Sequence, residues 1–303
     1  MFDEKQLREI KLGNVKNVNT DIYAKPEYSA SQMAIIRHGL ILGYDVSVYA
    51  KPEYNSSQMR LLLAAFEKGF DINLLENVKY NIRQMKIIFK GLEENLDVSV
   101  YAKPEIPHWA MSEIYAWLSK GYDVNHYLSE GFNAKQLRAI RYGIENDLNY
   151  ELYAKREFDA AQMMIMLKAL EHNIDLSIFL HYKFDANQMS LILNCLIDGY
   201  LPEELLKYHF SNKQLLEIKI GLQEGLDISA FANPKYIASK MREIRLGLLH
   251  NVDVELYNRV SFSASQMHEI RLGLESNLDV RCYAKTGFTA NHMKSVRENL
   301  QNK

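Results

Sequence analysis

Nine histidines, two cysteines and a ladder of aspartates are the residues of this 303-residue chain that could carry chemistry. A metal site needs ligands at short, matched spacings, such as two histidines one helical turn apart or a Cys/His cluster. His38, His108, His126, His172, His181, His209, His250, His268 and His292 show no such spacing, so surface or linker histidines are expected. Cys195 and Cys282 form no ligand-spaced cluster, which fits free thiols in a reducing compartment. Asp45, Asp71, Asp97, Asp123, Asp175, Asp227, Asp253 and Asp279 each follow a Gly or Asn closely and precede a short apolar run. That is where a helix cap belongs, so capping accounts for the ladder without calcium or general-acid chemistry. No Gly-rich phosphate loop, nucleophile elbow or zinc motif occurs. The expectation is a non-enzymatic chain with no catalytic residues, no cofactor and no metal.

The elements that would position any site come from a repeat. Taking the residue after a Gln-rich column as origin gives Leu7, Met33, Met59, Met85, Met111, Leu137, Met163, Met189, Leu215, Met241, Met267 and Met293, every interval being 26. Five residues earlier stands an aromatic, as in Tyr28, Tyr54, Phe210 and Phe262, and three later an aliphatic such as Ile36 or Ile270. Six later the residue is small, as in Gly39, Ala65 and Gly273. In the copy starting at Phe262, Ser263 and Gln266 form a capping box, Phe262 and Met267 a hydrophobic staple, and Met267, Ile270 and Leu274 a buried stripe. A Gly or Asn column (Gly43, Gly69, Asn95, Gly121, Asn173, Gly199, Gly225, Asn251, Asn277) stops each helix in a left-handed conformation, and the aspartates then start a second, short helix. Between repeats eight and nine Pro202 is expected to open the short helix instead. Each unit is thus a helix of about 13 residues, a tight turn, a short helix and a linker. The small column is expected to let neighbouring long helices approach closely. The whole chain, 1–303, is expected to be a single all-α domain, an α-solenoid of twelve long-helix/short-helix repeats with a right-handed superhelix as its default sense.

The strings Gln-Met-x-x-Ile-Arg-x-Gly-Leu at 32–40, Met-Arg-Glu-Ile-Arg-Leu-Gly-Leu at 241–248 and Asp-Val-Ser-Val-Tyr-Ala-Lys-Pro-Glu at 45–53 and 97–105 carry a resemblance over the whole chain. The sequence resembles tandem helical arrays of uncharacterised proteins in low-GC Gram-positive bacteria, frequently carried on phages and integrative elements. The resemblance implies an α-solenoid and a mobile-element setting; it brings no catalytic residues.

Composition narrows the partner. The chain is 48% apolar and 24% charged with a formal charge of −2, so no global basic excess draws it to nucleic acid or anionic membrane. No stretch approaches the roughly 20 apolar residues of a membrane span, and a cytoplasmic location is the default. Two columns vary in ways that suggest a surface. Two residues after the origin, outer copies carry Glu9, Glu217, Glu243 and Glu269, whereas inner copies carry Ile35, Leu61, Ile87, Ile165 and Leu191. This position points well away from the buried stripe, so the inner residues are either covered by tight packing between repeats or form a patch for another protein or a second copy. Repeat five adds Trp109 and Trp117, which either anchor a partner or fill a kink. Four residues after the origin, Lys219, Arg245, Arg271 and Arg297 occupy consecutive repeats, with Arg242 and Lys294 nearby. They form a stripe for nucleic acid, or arginines packed along the helix flank and paired with carboxylates such as Glu217, Glu243 and Glu269. Another protein is the expected partner, with nucleic acid and self-association as alternatives.

Overall fold

A computed structural model describes residues 1–181, 183–198 and 208–302. Pro202 and Gly199, assigned above to the junction of repeats eight and nine, lie outside the described residues. Within these the chain is all-helical, and twelve long helices recur at the repeat spacing, from Glu4–Val15, Ala30–Ile41, Ser56–Glu67 and Ile82–Glu93 to Ala290–Gln301. From Glu4–Val15 to His108–Ser119, and again from Ala160–Glu171 to Ala290–Gln301, each long helix packs chiefly on the long helix of the next repeat, the arrangement of an α-solenoid. The chain divides into two compact units, Met1–Tyr142 and Gly143–Lys303.

Between long helices the second helix is shorter than expected. In most described repeats it is a single 3₁₀ turn, such as Val46–Val48, Val98–Val100 or Val254–Leu256, and only Val124–Ser129 and Ser177–His181 are α-helical. The aspartates start these turns as expected. The Ser47 N–H donates to Asp45 at 3.0 Å, Asn73 to Asp71 at 3.0 Å and Ser229 to Asp227 at 2.9 Å. Hydrogen bonds from the Ser47 and Ser229 side chains and backbone hold the Asp45 and Asp227 carboxyls below the usual range. The long helices end in left-handed residues, Gly43 at φ +80° and Asn95 at +56° among them. Tyr44 N–H then reaches back to Gly39 O at 3.0 Å, a Schellman closure. Asn17 and Asp147 take the same conformation, each at φ +53°, in repeats that the sequence column omitted.

The glutamine before the origin does more than complete a capping box. In repeat two, Gln32 Oε1 accepts the Ser29 N–H at 2.7 Å, while its Nε2 donates to Tyr54 O of repeat three at 2.6 Å. Gln6 reaches Tyr28 O, Gln58 Tyr80 O, Gln84 Ile106 O, Gln162 Phe184 O, Gln188 Phe210 O, Gln214 Tyr236 O and Gln266 Phe288 O, always 22 residues ahead. One side chain therefore starts its own helix and fixes the entry of the next repeat. The aromatic column supplies the accepting carbonyl and, in Tyr28, Tyr54, Phe210 and Phe262, a ring wholly inside the core.

The small column has a different purpose from the one expected. Its space is filled by the tyrosine of the repeat's own Tyr-Ala-Lys-Pro-Glu segment, and not by an approaching long helix. A Cβ added at Gly39 would stand 1.8 Å from the Tyr49 hydroxyl and 3.0 Å from Val46; Gly13, Gly91, Gly247 and Gly273 meet Tyr23, Tyr101, Tyr257 and Tyr283 in the same way. In several copies the hydroxyl then donates to the long helix, as from Tyr23 to Glu9 O at 3.2 Å and Tyr257 to Glu243 O at 3.0 Å, whereas the buried Tyr49 hydroxyl meets no partner. Burial pushes the Tyr49, Tyr101, Tyr153 and Tyr257 hydroxyls far above their ordinary range. Where the small residue is alanine, the ring loses its hydroxyl or is absent: Ala65 goes with Leu75 and Ala169 with Phe179, all four buried.

Two outcomes test this packing. Gln58→Ala removes both the bond to Asn55 N–H and the bond to Tyr80 O, and should lower unfolding stability by about 1–3 kcal/mol in urea titrations. Gly39→Ala should destabilise by about 1–3 kcal/mol through overpacking. In a Tyr49→Leu background, which copies the Ala65/Leu75 pairing, the same change should be neutral or stabilising by up to about 1 kcal/mol through helix propensity.

Candidate binding surface

The variable columns meet at the junction between successive repeats. Each arginine four residues after the origin reaches the glutamate two after the origin of the preceding repeat, 28 residues back. Arg37 pairs with Glu9 at 2.8 Å, Arg141 with Glu113 at 2.7 Å, Arg245 with Glu217 at 2.9 Å, Arg271 with Glu243 at 2.8 Å and Arg297 with Glu269 at 2.9 Å. The glutamates named from the sequence are thus the partners, but each serves the arginine of the next repeat, since residues i and i+2 of one helix do not face each other. Arg245, Arg271 and Arg297 are buried. Arg245 holds a second carboxylate, Glu224 at 2.7 Å. Arg271 also bonds Glu275, which in turn meets His250 Nδ1 at 2.5 Å, and His268 Nδ1 lies 3.3 Å from Glu243. For Glu275, burial acts to raise the carboxyl, but hydrogen bonds from His250 and Arg271 outweigh it and hold the group below its usual range. Of the proposed phosphate-tracking stripe, these three arginines are engaged inside the repeat stack. Arg242 and Lys294 are exposed, Lys294 being 3.9 Å from Glu298, and Lys219 is half-buried.

Where an aliphatic residue replaces the glutamate, the position 28 residues on is apolar in three junctions, Ile35 with Leu63, Leu61 with Phe89 and Ile165 with Leu193, whereas Ile87 is followed by Tyr115 and Leu191 by Lys219. Most junctions are therefore matched, charge to charge or apolar to apolar. Ile35 is only 7% exposed and Leu63 6%, so this pair is largely closed off by inter-repeat packing. Leu61, Ile87, Ile165 and Leu191 are half-buried. The two alternatives for this column thus divide between residues: packing claims Ile35, and the others keep an accessible edge.

The tryptophans also separate. Trp117 is 1% exposed, with its ring centroid 5.2 Å from that of Tyr127 and its Nε1–H donating to Leu137 O at 3.2 Å. It occupies the small column and fills the space that the glycine leaves elsewhere, so it offers no surface to a partner. Trp109 is 48% exposed, with Lys135 Nζ 5.9 Å from its ring. An adjoining pair of grooves between the long helices of repeats two, three and four was not legible in the sequence. One, of about 640 Å³, is lined by Leu61, Ala64 and Phe89; the other, of about 440 Å³, by Ile35, Leu63 and Ala64. The Phe89 ring is set against Phe70, edge to face at 5.5 Å, which fixes this wall.

Among the described residues no group of three His, Cys, Asp or Glu is placed to hold a metal ion, and no helix is long and apolar enough to cross a membrane. No family model, curated protein or solved structure matches the chain.

Matched junctions make a direct prediction. Glu9→Ile or Arg37→Leu alone should destabilise by about 1–3 kcal/mol, because each leaves a largely buried charge without its partner. The double variant, which copies Ile35/Leu63, should recover most of the loss in a thermal or urea double-mutant cycle.

Proposed function

We propose that this chain is a non-enzymatic scaffold that holds another protein against the long helices of its inner repeats. The observation that carries this reading is the groove pair on repeats two to four, part apolar and part charged, where Leu61 and Phe89 keep accessible surface although the junction design could have covered them with an ion pair. Solenoids use such continuous repeat surfaces for binding, with chemistry varied from copy to copy on a constant frame. The engagement of Arg245, Arg271 and Arg297 with carboxylates weighs against the nucleic-acid alternative, since neutralised guanidinium groups release no counterions. The motif resemblance supports a phage or mobile-element setting in a bacterial cytoplasm, with a host or defence protein as the target of an adaptor or inhibitor.

Affinity capture from the source cells, with the wild-type chain and a Leu61→Lys variant as parallel baits, tests the reading. A polypeptide retained by the wild type and lost with the variant is expected. Recovery of nucleic acid alone, abolished by nuclease, would overturn it.

A further inference from the structure

The larger groove has an electrostatic character that its apolar floor does not require. Arg60, Lys68 and Lys86 line it together with Leu61, Ala64 and Phe89, and no carboxylate does. Lys68 is tied to Glu93 at 3.0 Å. Arg60 and Lys86 are exposed and meet no acidic group among the described residues, in a protein where the arginines of the neighbouring column are paired with glutamates. Arg60 also lines the second groove, so one free guanidinium stands on the ridge between them. The cations stand one residue after the origin of repeats three and four, where repeats two and five carry Ala34 and Ser112. The same column also carries Arg8, Arg138, Arg242 and Lys294, so what sets these two copies apart is the groove that the cations border. Ala64 opens the floor: the same column holds His38 and Lys90 in the flanking repeats, and either side chain here would fill the cleft.

We infer that this groove receives an acidic amphipathic helix, with its apolar stripe on Leu61, Ala64 and Phe89 and its carboxylates against Arg60 and Lys86. The flanking helices, Ser56–Glu67 and Ile82–Glu93, are 12 residues each. At 1.5 Å per residue they offer about 18 Å, a length that three turns of a guest helix span. Apolar anchors at i, i+3/i+4 and i+7 suit a cleft of this form, and charge at its rim sets orientation and partner choice. The inference rests on the protein-binding reading and specifies its site and chemistry.

The test measures fluorescence anisotropy of labelled synthetic peptides with the full chain. The probe is a helical peptide of about 15 residues, leucines on one face and glutamates on its flanks. Its controls are the same peptide with lysines replacing the glutamates, a scrambled acidic peptide of equal composition, and a single-stranded oligothymidylate. The acidic amphipathic peptide should bind and the controls should not. Arg60→Glu/Lys86→Glu should weaken binding at least about tenfold. Ala64→Tyr, an aromatic that the column already carries at Tyr142, should block the cleft to the same extent without changing the thermal midpoint. No binding to the wild type, or binding indifferent to both variants, overturns the inference. Equal binding of the scrambled or basic peptide overturns the helix in the groove, and oligothymidylate binding lost in the charge variant assigns the cations to nucleic acid. Should the peptide arms fail while capture still returns a polypeptide that depends on Leu61, the site chemistry falls and the scaffold reading stands.

Discussion

A primary amide used at both ends governs this molecule. The glutamine carbonyl accepts the N–H of its helix's cap residue, and the amide donates to a carbonyl in the following repeat. Two demands that are normally separate, starting a helix and positioning the next one, fall on the same side chain. Both groups it satisfies are backbone polar groups near buried rings, where leaving them unpaired costs on the order of 1–3 kcal/mol. Two copies that lack the glutamine also lack a side-chain cap, whereas repeat twelve, with His292 in that column, keeps one from Thr289. In repeats five and ten, with Ala110 and Lys240 in that column, the long helices start at Pro107 and Ile237 with no side-chain cap. Substitutes for the cross-repeat bond then appear: Trp117 Nε1–H to Leu137 O in one, Lys240 Nζ to Val260 O at 2.6 Å in the other. The cap is dispensable, but some link between consecutive repeats is always present at these two sites.

A second constraint works inside the repeat. The glycine on the long helix and the tyrosine after the 3₁₀ turn form one packing unit, with a ring filling the volume that the absent side chain leaves. Helix propensity alone would disfavour glycine there by roughly 1 kcal/mol. Burying a whole ring in that volume works against this cost, with or without a hydroxyl, since Gly221 meets Phe231 in the same way. The repeat is thus closed locally by glycine and tyrosine and propagated by glutamine.

Caps, helix stops and the 26-residue spacing were legible in the sequence because they depend on neighbouring residues, whose relation is fixed by chain geometry. Ser263 and Gln266, or Gly43 and Asp45, announce their roles within a few positions. Relations across the repeat were not. The Gly39–Tyr49 pairing looked like a matter of interhelical distance, and the arginines were expected to pair with glutamates such as Glu243 without the register that joins Arg271 to Glu243, 28 residues back. Both pairs were present as related columns, the glycine and tyrosine within one repeat, the arginine and glutamate only when one column is shifted by a full repeat. The groove was beyond such comparison. It arises where Ala64 leaves space between two helices whose separation only the folded chain sets, and Trp117 illustrates the converse, a large side chain whose burial depends on space vacated elsewhere.

Matched junctions also bear on how such an array changes length. Repeats nine to twelve share the Glu–Arg junction, so duplicating or deleting a whole unit among them returns every buried cation to a carboxylate. A unit transplanted from repeats two or three into that stretch would set Ile35 or Leu61 against an arginine, stranding a charge in a low-dielectric seam at a cost of several kcal/mol. Leu191 and Lys219 mark a border where the two kinds of junction meet, and the half-buried Lys219 is the cation best suited to it, since a lysine stem can lie along apolar surface with its ammonium in water. Recombination between copies is therefore free within a block and penalised across its edge. The array carries a grammar for its own expansion in the residues that hold it together.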